Sequence, residues 1–538
     1  MKQLVRISWL ILSLILLVAP AARAEALPEL AGLSAEDPAL VAKTVDAIAA
    51  RHDAVALKVL SALLEGNLRV DAKGLPYAVG KGDAYEALVP GAAPKPSPPL
   101  ATPMVNNQLR RQLEPTIAAL KLSAPDRETR LAAAEDLAKS RNDDLAPLVR
   151  KALASEKDAK IRERLQIALA QVDLASTDKA KRLSAIAAIK AAADANFKPD
   201  LERLIARDEK NQFREPDEDI RRAASAALGA IETRATIYGF VGNLFYGLSL
   251  GSVLLLAALG LAITFGLMRV INMAHGELLM IGAYATYSVQ KLFLQYLPDH
   301  SDFYIIAAVP AAFIASGAVG LLIERTVLRF LYGRPLETLL ATWGISLMLI
   351  QTVRLLFGAQ NVTVSNPSWL AGGVEVLPGF VLTYSRLAVI LFSGVVVAFV
   401  WFMLQRTPLG LHVRAVTQNR AMAAGMGIST RRVDSWTFAI GSGVAGLGGV
   451  ALSQLGNVGP ELGQGYIVDS FMVVVLGGVG KLAGTLAGAF GLGIVNKLLE
   501  PVAGAVLGKI FILAFIILFI QRRPQGIFAL KGRAAEVA

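Results

Sequence analysis

Asn272, His275 and Glu277 fall within one short stretch between two apolar runs, and they form a histidine–acid cluster beside such a run. An ionisable group at membrane depth is costly, so such a cluster marks a permeation path, a gate or a hydrogen-bond network between helices. Catalysis fits these residues poorly. The chain has no cysteine, and its four histidines (His52, His275, His300 and His412) are scattered. Neither a thiolate nor a histidine-built metal site is expected. No nucleophile pair accompanies His275 and Glu277, so an enzyme is not expected and no cofactor is called for.

Two further acids, Glu461 and Asp469, stand near the start of a later apolar run. Asp469 is a candidate pathway residue; the alternative is an interfacial acid that stays wet or pairs with a basic neighbour. The polar arm 405–432 carries a different chemistry. Pro408 suits the start of a short helix and Gly425 its end. Leu411, Val413, Val416 and Met422 supply apolar contacts, while Arg414 and Arg420 supply charge. Such a helix either sits in a groove of a partner subunit or lies on a membrane surface. The phosphate-loop pattern G-x-x-x-x-G-K-[ST] is absent from the sequence, so a nucleotide-driven process would need another polypeptide. Gly441-Ser442-Gly443-Val444-Ala445-Gly446 matches a dinucleotide fingerprint by letter. No strand precedes it, and it reads as helix packing.

The elements that must hold these residues are membrane elements. Of the 538 residues, 54% are hydrophobic and only 18% charged, too apolar for a soluble chain of this size. The apolar content concentrates after about Tyr238. Candidate spans are 240–267, 276–296, 303–323, 336–357, 384–404, 433–456, 465–480, 484–500 and 505–520, several of them near the roughly 20 residues a bilayer core requires. Gly247 with Gly251, and Gly484 with Gly488, provide small residues at four-residue spacing for close helix approach. The net charge of +11 raises nucleic acid as a partner. The basic residues sit beside apolar spans instead, where the positive-inside rule requires them, and no nucleic acid is expected.

The first half is Ala-rich and charged. Lys2 and Arg6, the apolar run Ile7–Val18 and Ala22-Arg23-Ala24 together read as a secretory signal cleaved after Ala24. Such a signal exports the chain from Glu25 onward. Nine crossings then place 268–275, 324–335, 405–432, 481–483 and 521–538 in the cytosol, the loops that hold most of the Lys and Arg of the apolar half. Eight crossings would break that parity unless one segment is re-entrant. Residues 25–103 read as a helical segment with a Pro-rich linker, and 104–236 as a helical domain. In the latter, Arg130, Arg162, Arg182 and Arg221 are each followed by apolar residues at +3 and +7, one face of a helix. Stacked HEAT-like helices are the expectation, acting as a docking surface or as a spacer. The fold class is all-α, with an extracytoplasmic helical head on a polytopic body of eight or nine spans over 237–538.

Several passages of that body are similar to one family. They are Ile271-Asn272-Met273-Ala274-His275-Gly276-Glu277, Thr407-Pro408-Leu409-Gly410-Leu411-His412-Val413-Arg414-Ala415-Val416, Ala424-Gly425-Met426-Gly427-Ile428, Val475-Leu476-Gly477-Gly478-Val479-Gly480 and Arg522-Arg523-Pro524-Gln525-Gly526-Ile527-Phe528. Over about 240–538 the chain resembles the permease subunits of branched-chain amino acid ABC importers. Ile467-Val468-Asp469-Ser470-Phe471-Met472, the stretch Leu499–Lys509 and the tail Ile527–Arg533 resemble the urea permease branch more narrowly, as does a signal peptide with a long extension behind it. In the amino-acid branch a Lys usually stands where Asp469 stands here, which argues for a neutral substrate such as urea. Urea has four N–H donors and one carbonyl, so a carboxylate or amide acceptor could bind it without a charge partner. The resemblance further implies an inner-membrane protein with cytosolic ATP-binding ABC subunits, a second permease subunit and a periplasmic substrate-binding protein as partners, besides membrane lipid. It also implies that the arm is the ATPase coupling loop, with Leu411, Arg414, Ala415, Asn419, Gly425 and Gly427 its chief residues. A passive channel or secondary transporter is the alternative of another class.

Overall fold

The computed structural model describes residues 32–33 and 38–528, except 52, 73, 81–84, 90–92, 94, 140–144, 269 and 378–379. The expected signal segment 1–24 lies outside the described residues. The chain divides into two compact units, Met1–Ala235 and Thr236–Ala538.

The first unit begins with helices α1 (Pro38–Ala49) and α2 (Ala54–Leu64) and a small antiparallel sheet, β1 (Leu68–Val70), β2 (Pro76–Val79) and β3 (Tyr85–Ala87), in the order β1-β2-β3. These strands depart from the all-helical expectation. They are three or four residues long, too short for a period-2 pattern to register in sequence. The Pro-rich stretch departs as well. Instead of running free as a linker, it folds back onto β1, where Ala101 and Val70 exchange backbone hydrogen bonds of 2.8 and 3.0 Å. Helix α3 (Asn107–Leu122) closes this core with Leu109, Leu113, Ile117 and Leu120 against Val59, Leu60 and Leu63.

Helices α4 (Arg127–Lys139), α5 (Ala146–Ser155), α6 (Ala159–Asp173), α7 (Lys179–Ala192) and α8 (Lys198–Ile205) come next. Helix α6 packs on α4, α5 and α7. The +3 and +7 pattern is realised: Ala133 and Leu137, Leu165 and Leu169, Ala185 and Ile189, and Ala224 and Leu228 are all buried. The arginines that lead these faces tie helix starts to neighbouring loops. Arg130 Nη1 donates to the carbonyls of Ala124 and Pro125, and Arg221 Nη1 to those of Glu215 and Pro216. Arg182 Nε donates to the Leu174 carbonyl at 3.2 Å, and its Nη2 reaches the Glu215 carboxylate at 2.5 Å. That contact, together with the Asp217 backbone N–H, holds the Glu215 carboxyl below its usual range despite its burial.

Helix α9 (Glu218–Met268) spans the unit boundary, and the second unit continues with α10 (His275–Tyr296), α11 (Tyr304–Thr326) and α12 (Pro335–Phe357). Next come the hairpin β4 (Gly373–Leu377) and β5 (Phe380–Thr383), then α13 (Tyr384–Arg406), α14 (Pro408–Gln418), α15 (Arg420–Gly425), α16 (Thr430–Ser453), α17 (Gln464–Gly477) and α18 (Leu482–Arg522). Among the described residues, six helices are long and apolar enough to cross a membrane, while α17 has only 14 residues. The expected spans 484–500 and 505–520 belong to α18, which bends at Gly504, where φ is +76°.

Two of these helices form the centre. The apolar windows of α9 and α16 are 83% and 89% buried, whereas those of α12, α13 and α18 are 22%, 22% and 17%. Glycine makes the central packing possible, since lipid supplies no hydrophobic drive between helices and close backbone contact must replace it. A Cβ on Gly282 of α10 would strike the backbone of Gly446 in α16, and one on Gly247 of α9 would come within 2.7 Å of Ile494 Cα in α18. The run 441–446 is thus buried helix inside α16, as expected.

Candidate functional site

The stretch between α9 and α10 is a buried polar turn. Asn272 Oδ1 accepts from the backbone N–H of Ala274 at 3.0 Å, which turns the chain into α10. His275 Nε2 donates to the Ala257 carbonyl at 2.9 Å. A carbonyl only accepts, so the proton sits on Nε2 and Nδ1 is the acceptor nitrogen. Gly260 makes room for the ring: a Cβ there would lie 2.9 Å from His275 Cε1. Ala257 precedes the last residue of α9, Met268, by eleven positions, or about 16 Å of helix. The turn therefore dips back along α9 into the bundle. Asn272, His275 and Glu277 are all buried.

Helix α12 forms the opposing wall. Thr338, Thr342 and Ser346 recur every four residues and all are buried, a polar stripe on one helix face. Thr342 Oγ1 accepts from the Met273 N–H at 3.1 Å and donates to the Thr338 carbonyl at 2.8 Å. Ser346, one helical turn beyond Thr342, lies beside the Glu277 carboxyl. Several polar atoms here have no partner: Asn272 Nδ2, His275 Nδ1, Glu277 Oε2 and, in α16, Ser442 Oγ. Unpaired buried polar atoms cost about 1–3 kcal/mol each, and three of these four belong to the one turn. Among the described residues, no group of three or more His, Asp or Glu is arranged to hold a metal ion.

The two other candidate acids lie apart. Glu461 pairs with Arg354 at 2.5 Å and is largely exposed. Two positions on, Gly463 packs backbone to backbone against Gly276 at the start of α10. Asp469 is buried in α17 and receives a hydrogen bond from Lys509 Nζ at 3.1 Å. Asp469 thus has a basic partner in Lys509.

The arm 405–432 folds as two short helices, not the single helix expected from Pro408 to Gly425. The break falls at Asn419 (φ −155°, ψ 100°), whose Oδ1 accepts from the Met422 N–H at 2.9 Å and caps α15. Ala415 accepts from the Asn419 N–H at 3.0 Å, and Arg414 donates to the Leu404 carbonyl. Val413, Val416 and Ala423 pack with Val433. Gly425 ends α15 as expected, and Gly427 stands two residues on at φ +83°, a left-handed position that favours glycine. The underside is thereby fixed, while Leu411, Met422 and Met426 stand exposed at 59%, 65% and 77%.

A family model described as the branched-chain amino acid transport system / permease component matches residues 243–520. The chain belongs to this family. The high-affinity branched-chain amino acid transport system permease protein BraD of Pseudomonas aeruginosa is 29% identical over 297 residues, covering 54% of this chain and 96% of that protein. The corresponding LivH of Salmonella typhimurium is 30% identical over 293 residues, covering 54% and 95%. A probable LivH of Methanocaldococcus jannaschii is 26% identical over 298 residues, covering 51% and 88%. No solved structure matches the chain. The relatives are transport permeases, not enzymes.

Within this permease, sequence reasoning missed the α12 hydroxyls and Ser442. The four-residue spacing of Thr338, Thr342 and Ser346 was there to be read, but nothing local says that this face meets the turn at 271–277. It also missed Asp434 and Tyr332 as the partners of Arg420.

Proposed function

We propose that this permease is the membrane-spanning subunit of an ATP-driven importer for urea or a related small amide. The observation that carries the transport reading is the arm. Its apolar underside is locked to α16, and Leu411, Met422 and Met426 are left outward on short helices, the form of a surface that seats in a groove of an ATPase subunit. A second permease subunit and a periplasmic binding protein complete the importer. The turn Asn272–Glu277, walled by Thr342 and Ser346, is the gate, and its unpaired polar atoms find partners when the helices rearrange or a polar solute passes.

The substrate half rests on Asp469. A zwitterion's carboxylate calls for a free cation, yet the ammonium beside α17, that of Lys509, is already engaged by Asp469. A locally neutral pair suits a neutral amide. The names of the relatives favour a second reading, a branched-chain amino acid substrate. In either case the arm and the C-terminus face the cytosol, the body crosses the membrane eight or nine times, and the N-terminal helices form an exported, HEAT-like head.

ATP-dependent uptake by proteoliposomes containing the whole importer tests this. Uptake of labelled urea or acetamide without leucine is expected. Leucine uptake alone would move the substrate to the second reading, and uptake that persists without ATP would overturn the importer class.

A further inference from the structure

Arg420 is the first residue of α15, and it holds the arm to the transmembrane bundle through a set of groups far apart in sequence. Its guanidinium pairs with the Asp434 carboxylate of α16 through both terminal nitrogens. The same guanidinium lies over the ring of Tyr332, 5.3 Å from the centroid. Tyr332 Oη donates to Glu324 Oε1 of α11 at 3.0 Å, and Ser435 Oγ of α16 donates to Glu324 Oε2 at 2.5 Å. Asp434 and Glu324 are both buried, whereas the Arg420 side chain is half-exposed.

The charge balance gives this arrangement its meaning. Two buried carboxylates face one cation, and that cation comes from the arm. The Glu324 carboxylate is satisfied by two hydroxyls. Asp434 depends on the guanidinium, because an uncompensated charge in a low-dielectric site is strongly unfavourable. Lifting α15 away would strip Asp434 of its partner and take away the Tyr332 stack in the same step. The arm is thus bound to α16 and, through Tyr332 and Glu324, to α11. Those are the helices whose close glycine contacts, Gly446 on Ser316 and Gly282 and Gly441 on Gly260, surround the buried polar turn.

We propose that Arg420 is a positioning residue for energy coupling: it makes the arm and helices α11 and α16 move as one body, so that displacement of the arm reaches the gate instead of being absorbed in 419–429. This rests on the permease reading above and adds to it the residue that transmits the motion. Leu411, Met422 and Met426 receive the push, and Arg420 prevents slip between arm and bundle. A lysine would supply charge without the two-nitrogen contact or the flat face over Tyr332, so it should transmit only in part.

The test measures substrate transported per ATP hydrolysed in proteoliposomes holding the full importer, for wild type, R420K, R420A, D434N and the exchange R420D/D434R. Retention of the ATPase on purification and the thermal midpoint are measured alongside. R420A is expected to keep the ATPase bound and hydrolysing while transport per ATP falls at least tenfold. R420K should fall between, and the exchange should recover a substantial part of the loss. D434N frees the guanidinium, so it should uncouple as R420A does while folding well, because it removes the buried charge. Unchanged stoichiometry in both R420A and D434N, or transport and ATPase activity falling in strict proportion, would overturn the proposal. Wild-type uptake that needs no ATP would overturn both this proposal and the importer reading, whereas coupled wild type with equally coupled variants would sink Arg420's role alone.

Discussion

Thr342→Val removes one oxygen from the wall of the polar turn and keeps the side chain's shape. In the native structure Thr342 Oγ1 accepts the Met273 N–H at 3.1 Å and returns its own proton to Thr338 within the helix. The valine leaves that backbone N–H without its acceptor in a buried turn. Such an orphaned donor costs about 1–3 kcal/mol, which shifts the equilibrium between the docked turn and any opened form by about 5–150-fold. The chain contains no cysteine, so a single reporter can be placed beside the donor. Ile271→Cys, half-buried one residue from the polar cluster, should react with a membrane-permeant maleimide at least fivefold faster in the Thr342→Val background. Thr342→Ser, which keeps the acceptor, should react at the original rate. Equal rates in all three backgrounds would refute the claim that α12 holds the turn shut through this hydroxyl.

Gly282→Leu places a side chain where the Gly446 backbone already lies; folded protein recovered in detergent should fall well below wild type, while Gly344→Leu, in open space, should express normally. Leu411→Asp with Met422→Asp puts charge on the exposed face of the arm and should abolish retention of the ATPase without lowering the thermal midpoint, as measured by copurification and scanning fluorimetry. The first unit should be acid-sensitive. Arg182 holds Glu215 below the ordinary carboxylate range, so this contact adds stability that is complete above about pH 4.3 and fades as pH falls through the lower folded value. Hydrogen exchange around 182–215 should accelerate below that pH, and Glu215→Gln should reduce the dependence.

Much of the molecule was legible from local pattern alone. The +3 and +7 spacing after Arg130, Arg162, Arg182 and Arg221 marks the buried faces correctly, because a helix repeats its faces every 3.6 residues and needs no knowledge of its neighbours. The glycine pairs 247/251 and 484/488 announce close crossings because only small residues allow them in lipid. The apolar runs and the Pro408–Gly425 arm can be read from length and punctuation. Pairing between distant side chains has no such signature. His275 on Ala257, Met273 on Thr342, Arg354 on Glu461 and Arg420 with Asp434, Tyr332 and Glu324 are fixed by where the backbones cross. The strands β1–β3 and the return of Ala101 to Val70 belong to the same class, since a few residues gain little from their own propensity and depend on the core behind them. Local periodicity determined which residues are buried, and only the tertiary crossings decided which polar groups meet, because a hydrogen bond depends on the position of two atoms and a hydrophobic face only on the rotation of one helix.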